Sequence, residues 1–188
     1  MKALASVVCA ASLVLSISAV HAAVTVLGPG PAKECFDFAE NGGDLHEGLV
    51  RCSFALDTAL SVSDRAATFV NRGVIHLSLH EDDEAIKDID SGIALDPVLG
   101  DGYVDRGAVL MSLGRYDDAL KDINKGIELG SHRPHFAYYD RAIIDEHNGD
   151  IGAAYRDYKK ALELEPNFSL AAGELKRFRV VKHNAGGT

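Results

Sequence analysis

An internal repeat of 34 to 35 residues is the feature that most constrains the fold of this chain. The dipeptide Arg72-Gly73 is followed 34 residues later by Arg106-Gly107, and 35 residues after that by Arg141-Ala142. A small residue stands 12 and again 19 positions after the glycine or alanine of each copy. These small residues are Ala85 and Gly92, Ala119 and Gly126, and Ala154 and Ala161. The spacing predicts two helices per copy whose backbones approach closely at fixed places.

This period and pattern resemble those of the tetratricopeptide repeat family, although Asp145 replaces the family's usual aromatic residue in the last copy. The resemblance reaches from about Pro29 to Phe168. It implies an all-α fold, a right-handed superhelical solenoid of antiparallel helix pairs. The predicted segments are a flexible leader at 23–31, a degenerate N-terminal repeat at 32–62, full repeats at 63–99, 100–134 and 135–168, a C-terminal capping helix at 169–182 and a disordered tail at 183–188.

Residues 1–22 have the features of a secretory signal peptide. Lys2 precedes an apolar run from Ala3 to Val20, and the small residue Ala22 fits a cleavage site. A retained membrane anchor is the alternative, but alanines and serines make the run only weakly hydrophobic. We therefore predict an exported, periplasmic or secreted, bacterial protein with no stable membrane insertion after cleavage.

The charge of the chain argues against nucleic acid as a partner. The formal net charge is −9, and cleavage after Ala22 makes it −10 because Lys2 is lost without any acid. Repulsion from phosphate groups then disfavours nucleic acid and anionic lipid. The basic C-terminal stretch that includes Lys176 and Arg177 fits a solvated helix end, where the helix dipole favours cations.

Two cysteines, Cys35 and Cys52, remain after signal cleavage and lie in the degenerate repeat. An even pair in an exported chain indicates a disulfide. In the repeat register Cys35 takes the place of Arg72, and Cys52 lies next to the place of Asp88, on helices that face one another. A redox or metal site is the alternative, but the pair forms no C-x-x-C motif.

An arginine in each full repeat is followed 16 residues later by an aspartate. The pairs are Arg72 and Asp88, Arg106 and Asp122, and Arg141 and Asp157. In the degenerate copy both members are replaced, which indicates structural ion pairs within each hairpin. Binding of an anionic ligand is the alternative, but arginines already paired with carboxylates are poor anion receptors.

The sequence predicts no enzyme and no cofactor. Two histidines in the stretch His132-Arg133-Pro134-His135 come nearest to a metal-ligand pair, but they lack a nearby cysteine or acid in the sequence. No nucleophile elbow or phosphate loop occurs, and the acids recur with the repeat instead of gathering in one place. A metal carrier or an enzyme that uses the histidines is therefore the third hypothesis for function.

Family stacking implies that one stripe of each first helix lines a concave groove. The predicted groove residues are Val70, Val74, Leu77, Val104, Met111, Tyr139 and Ile143, and Ala108 and Glu146 complete the same stripes. Neighbouring helices could instead bury part of the stripe, Val74 and Ala108 above all. Asp101, Asp105 and Glu146 are expected at the groove edges. The leading hypothesis is a non-enzymatic module that binds a protein or peptide segment, and the second is a self-associating structural solenoid.

Overall fold

The computed structural model of the protein describes residues 5–9, 23–25 and 30–182. The chain divides into two compact units, which we call the N-terminal unit, residues 18–133, and the C-terminal unit, residues 1–17 and 134–188. Most of the predicted signal peptide and all of the predicted tail at 183–188 lie outside the described residues.

Three helical hairpins form the described part of the N-terminal unit. They are α1 (Pro31–Asn41) with α2 (Leu45–Leu56), α3 (Val62–Ser78) with α4 (Asp82–Leu95), and α5 (Gly100–Ser112) with α6 (Tyr116–Glu128). Pro31 begins α1, where a helix needs no backbone donor. The Asp44 side chain accepts hydrogen bonds from the backbone N–H groups at the start of α2, and Ser61 caps α3 in the same way.

The C-terminal unit contains a fourth hairpin and a short ribbon. Its helices are α7 (Pro134–His147), α8 (Ile151–Leu164) and α9 (Ser169–Leu175). Its strands, β1 (Ala5–Cys9) and β2 (Phe178–Lys182), pair antiparallel. The described residues therefore contain nine helices and one two-stranded ribbon, and the predicted all-α class is confirmed. Among these nine helices, none is both long and apolar enough to cross a membrane.

Close packing of the two helices explains the small residues at the first position of the pattern and 19 positions after it. A Cβ atom added to Gly73 would lie 2.6 Å from Cγ1 of Ile89, and one added to Gly126 would lie 2.8 Å from the carbonyl oxygen of Gly100. Real Cβ atoms do not approach other atoms so closely, so each hairpin needs small residues where its helices meet. In the α7–α8 hairpin the buried alanines Ala142 and Ala161 meet the same need.

Two predicted segments differ from the described structure. The capping helix ends at Leu175 instead of residue 182, and the chain continues as β2, whose sequence contains the β-branched residues Val180 and Val181. The leader is not flexible throughout, because Ala23 and Val24 are each only 3% exposed. The reason for that burial is a contact with α3, which lies at the centre of the candidate site.

Candidate functional site

The predicted groove residues of the N-terminal unit do not form an open apolar surface. Val70, Val74 and Leu77 on α3 are at most 3% exposed, and Val104 and Met111 on α5 are 1% exposed. The expectation of an exposed stripe is therefore corrected. Val70 and Leu77 belong to one hydrophobic cluster that also contains Ala108 of α5 and Val24 of the leader.

Asn71 of α3 holds the backbone of Val24 at two points. The backbone N–H of Val24 donates to Oδ1 of Asn71 at 2.6 Å, and Nδ2 of Asn71 donates to the carbonyl oxygen of Val24 at 2.8 Å. Asn71 is completely buried. One carboxamide therefore satisfies both backbone groups of one residue, a mode of recognition that is independent of that residue's side chain.

The free energies at this contact hold the segment in place by at most about 3 kcal/mol, the difference between the largest gain and the smallest cost. Two buried hydrogen bonds contribute about 0.5 to 1.5 kcal/mol each. Burial of the Val24 side chain contributes about 1.5 to 3 kcal/mol. Ordering the backbone of three residues, 23–25, costs about 1 to 2 kcal/mol per residue. The segment is therefore held weakly enough for a competing ligand to remove it.

Asn71 stands at a register position that is polar and buried in all three full repeats. The residue before each repeated arginine is Asn71, Asp105 or Asp140, and the two aspartates are each 1% exposed. Complete burial raises the pKa of Asp140 well above its usual value. The available signal was a polar residue at the same register in three copies, directly beside the apolar stripe.

The acids expected at the groove edges have structural roles instead. Asp101, in the first turn of α5, is 2% exposed and accepts hydrogen bonds from the Ser131 hydroxyl and from the backbone N–H of His132 at 2.9 Å. It also lies 2.8 Å from Nδ1 of His132. Asp101 therefore fixes the loop that follows α6, and it does not attract cations to a rim.

Each repeated arginine forms a two-point hydrogen bond with the aspartate 16 positions later, with distances of 2.6 to 3.1 Å. The pairs are Arg72 with Asp88, Arg106 with Asp122, and Arg141 with Asp157. Arg106 also donates to Asp90 of α4 at 2.7 Å, and Arg72 donates to the Ser53 hydroxyl of α2 at 3.0 Å. These guanidinium groups link neighbouring helices and are already occupied by protein acceptors.

A disulfide joins Cys35 of α1 to Cys52 of α2. Both cysteines are completely buried and pack in a cluster with Ile75 of α3. The covalent bond therefore fixes the first hairpin at the level where the other hairpins have an arginine and an aspartate.

In the C-terminal unit, the predicted groove residues Tyr139 and Ile143 are 5% and 7% exposed. Burial is the main cause that raises the pKa of Tyr139 to about 12. Glu146, expected at a groove edge, is buried and accepts hydrogen bonds from the Tyr158 hydroxyl at 2.8 Å and from Arg177 at 2.6 Å. Glu146 therefore connects α7 to α8 and to the residues after α9.

The two histidines near residue 133 have different neighbours. His132 lies against Asp101. The His135 ring centroid lies 4.3 Å from that of Phe136 and 5.0 Å from that of Phe168. Across the described ranges, no cluster of three or more histidine, cysteine, aspartate or glutamate side chains is arranged to hold a metal ion.

The family model of the tetratricopeptide repeat matches residues 100–129 and 137–168. These ranges contain the α5–α6 hairpin and nearly all of the α7–α8 hairpin, which carry the small residues and ion pairs described above. These two hairpins match the tetratricopeptide repeat family. Comparison with curated proteins found no match.

Solved structures similar to this chain include TPR domains bound to peptides. The first TPR domain of Spaghetti (RPAP3), bound to the HSP90 peptide SRMEEVD, is 27% identical, with a TM-score of 0.56 over 61% of this chain and 90% of that chain. The Arabidopsis OM64 TPR domain is 21% identical, with a TM-score of 0.57 over 62% of this chain and 96% of that chain. MamA is 16% identical, with a TM-score of 0.59 over 79% and 82%. The last two likenesses concern the fold alone.

Proposed function

We propose that this protein is a non-enzymatic scaffold of the bacterial cell envelope that binds an extended peptide or protein segment. The observation that carries the proposal is the two-point contact of Asn71 with the backbone of Val24. In this contact a buried amide beside apolar helix faces makes hydrogen bonds with a backbone N–H and a backbone carbonyl, which supports the proposal. The HSP90 peptide bound to the similar first TPR domain of RPAP3 supports the same class of ligand.

The proposed ligand has a small aliphatic side chain at the residue whose backbone contacts Asn71. Val24 has this chemistry and packs with Val70 and Leu77. In this proposal the ligand is surrounded by the groove residues of α3 and α5, namely Val70, Val74, Leu77, Val104 and Met111. Tyr139 and Ile143 are proposed as the corresponding residues of the C-terminal unit. A donor and an acceptor on one buried carboxamide suit a peptide group, which presents one of each.

Phage display on the full chain, followed by affinity measurements with the selected synthetic peptides, tests this proposal. The variant Asn71→Leu removes both the donor and the acceptor, and Asn148→Leu changes an exposed asparagine at the end of α7 as the matched control. We expect Asn71→Leu to weaken the selected peptides by about tenfold or more, since a lost hydrogen-bonded partner costs 1 to 3 kcal/mol. Equal affinities for the two variants contradict the proposal, as does a selection that enriches no peptide.

Export is the second part of the proposal. The pattern of residues 1–22 supports it, and the disulfide between Cys35 and Cys52 suits an oxidising compartment. The intact mass of protein recovered from the periplasm or medium tests it, and we expect a chain that begins near Ala23. A full-length, membrane-bound product contradicts it.

Self-association is a second candidate function, and the β1–β2 ribbon favours it. Cleavage after Ala22 removes β1, the strand with which β2 pairs in the described residues. An unpaired strand edge is a template for pairing with another chain. Light scattering of the processed protein at rising concentration tests this candidate, with Val180→Pro as the variant that removes a backbone donor. A mass that stays monomeric at every concentration contradicts it.

A further inference from the structure

The segment Ala23–Thr25 occupies the Asn71 site although it belongs to no helical hairpin. Ala23 and Val24 are each 3% exposed, whereas Thr25 is exposed. Val24 lies 47 positions from Asn71 in the sequence and makes both hydrogen bonds with the buried carboxamide. The site therefore already contains a peptide segment, supplied by the chain itself.

We propose that residues 23–25 are an intramolecular ligand of the Asn71 site, and that a partner reaches this site only by displacing them. The inference rests on the proposed function, because the same site binds the partner. Asn71 is completely buried, and Val24 contacts both its Oδ1 and its Nδ2. A partner backbone cannot make the same two hydrogen bonds while Val24 remains, so the two ligands exclude each other.

The chemistry of the segment also specifies its competitor. Val24 places a short branched side chain among Val70, Leu77 and Ala108, which are aliphatic and carry no polar side-chain atom. A partner residue that replaces Val24 needs a side chain of similar size and no charge, because a buried unpaired charge is strongly disfavoured. The preceding position, occupied by Ala23, requires a small residue because it is buried. The following position, occupied by Thr25, is exposed and accepts a polar residue.

A labelled peptide with the sequence of residues 23–27, Ala-Val-Thr-Val-Leu, is the probe for a competition experiment on the full chain. Val24→Asp ejects the segment because it puts a charge in an apolar cluster. Thr25→Asp adds the same charge at the neighbouring exposed residue and is the matched control. By fluorescence anisotropy we expect Val24→Asp to bind the probe about tenfold or more tighter than the unaltered chain and Thr25→Asp, since an occupied site weakens apparent affinity by the unoccupied fraction.

The double variant Val24→Asp with Asn71→Leu should lose this gain, because the emptied site then lacks its carboxamide. Equal probe affinities for Val24→Asp and Thr25→Asp overturn the proposal. A second outcome separates this proposal from the proposed function. If the peptides selected by phage display bind Val24→Asp and Thr25→Asp equally well, but still require Asn71, then residues 23–25 are not an intramolecular ligand and the proposed function stands.

Hydrogen exchange of the unaltered chain is a second test that does not depend on a variant. We expect the Val24 amide to be protected but to exchange at least about tenfold faster than the slowest amides of α3, because the segment opens locally while the helix does not. A Val24 amide that exchanges only as slowly as the interior of α3 overturns the proposal, since the segment is then a fixed part of the fold.

Discussion

The α3–α4 and α7–α8 hairpins bury a polar residue at the same register position, but the two residues have opposite surroundings. Asn71 makes two hydrogen bonds with the backbone of Val24. Asp140 is 1% exposed, and within the described residues its Oδ2 atom has no hydrogen-bond partner. A buried amide with partners stabilises a fold, whereas a buried carboxyl with an unsatisfied oxygen is costly. The repeat therefore fixes where a polar group lies without fixing its energetic role.

The neighbouring positions of the two hairpins differ in a related way. Gly73 of α3 packs against Ile89 of α4, whereas the α7–α8 hairpin has Ala142 and Tyr158 at these register positions. The Tyr158 hydroxyl donates to Glu146, and burial followed by the charge of Glu146 raises the pKa of Tyr158. The α3–α4 hairpin therefore hydrogen-bonds a segment of the chain that lies outside the hairpin, namely Val24. The α7–α8 hairpin instead contains a hydrogen bond between its own side chains, Tyr158 and Glu146.

The largest expected effect is that of Asn71→Leu on stability. The change removes two hydrogen bonds and leaves the Val24 backbone groups without their partner, so the free energy of unfolding should fall by about 2 to 3 kcal/mol. Urea denaturation at pH 7 measures it, with exposed Asn148→Leu as the control that should shift by less than about 0.5 kcal/mol. Equal losses in the two variants mean that the Asn71 contact contributes nothing.

Leucine at the equivalent position of α7 should change the free energy of unfolding in the opposite direction. Asp140→Leu removes a buried carboxyl whose Oδ2 atom has no hydrogen-bond partner among the described residues, so the free energy of unfolding at pH 7 should rise by about 1 to 2 kcal/mol. A loss of stability in Asp140→Leu contradicts the comparison between the hairpins.

The pH dependence gives a second measurement on the same variant. Burial raises the pKa of Asp140 in the folded state, so the unfolded chain releases this proton first as the pH rises above about 4. Stability therefore falls with rising pH, by about 1.4 kcal/mol per unit for this group until its folded pKa is reached. Asp140→Leu should flatten that slope. A smaller slope remains between about pH 4 and 6, because burial and then Asp157 raise the pKa of Asp145 to about 6.

The sequence predicted the hairpins and their internal links because these features repeat. The register that contains Gly73, Ala85 and Gly92 fixes where two helices meet, and a separation of 16 residues fixes which arginine faces which aspartate. Local periodicity is enough to determine such contacts.

The contact between Asn71 and Val24 could not be predicted in this way, because it occurs once and joins residues 47 positions apart. The leader contains Gly28, Pro29 and Gly30, which predict an irregular backbone but not its place of burial. The roles of Asp101 and Glu146 were missed for the same reason: a hydroxyl or guanidinium partner about 30 residues away has no periodic signal in the sequence.

Double-mutant cycles on the ion pairs should give a smaller effect. The Asp88 side chain is 8% exposed in its pair with Arg72, and the Asp157 side chain is 13% exposed in its pair with Arg141. We expect a coupling of about 1 kcal/mol in each hairpin, from Arg→Met and Asp→Asn changes measured singly and together, because the hydrogen bonds are two-point but partly solvated. A coupling of zero in one hairpin means that its ion pair does not link the helices energetically.

The smallest expected effect concerns the turns of the two hairpins. His80 has φ 60° at the turn between α3 and α4, whereas the corresponding turn between α7 and α8 has Gly149 with φ 82°. A non-glycine residue in this left-handed region destabilises the folded state by about 1 to 2 kcal/mol. Glycine removes that cost, but it lowers stability by about 0.4 to 1 kcal/mol because it increases the conformational entropy of the unfolded chain. His80→Gly should therefore stabilise by about 0.5 kcal/mol, since the exposed imidazole loses little packing. Gly149→His should destabilise by about the same amount. Paired urea titrations measure both changes, and equal signs for the two substitutions contradict the prediction that backbone conformation sets the difference between these turns.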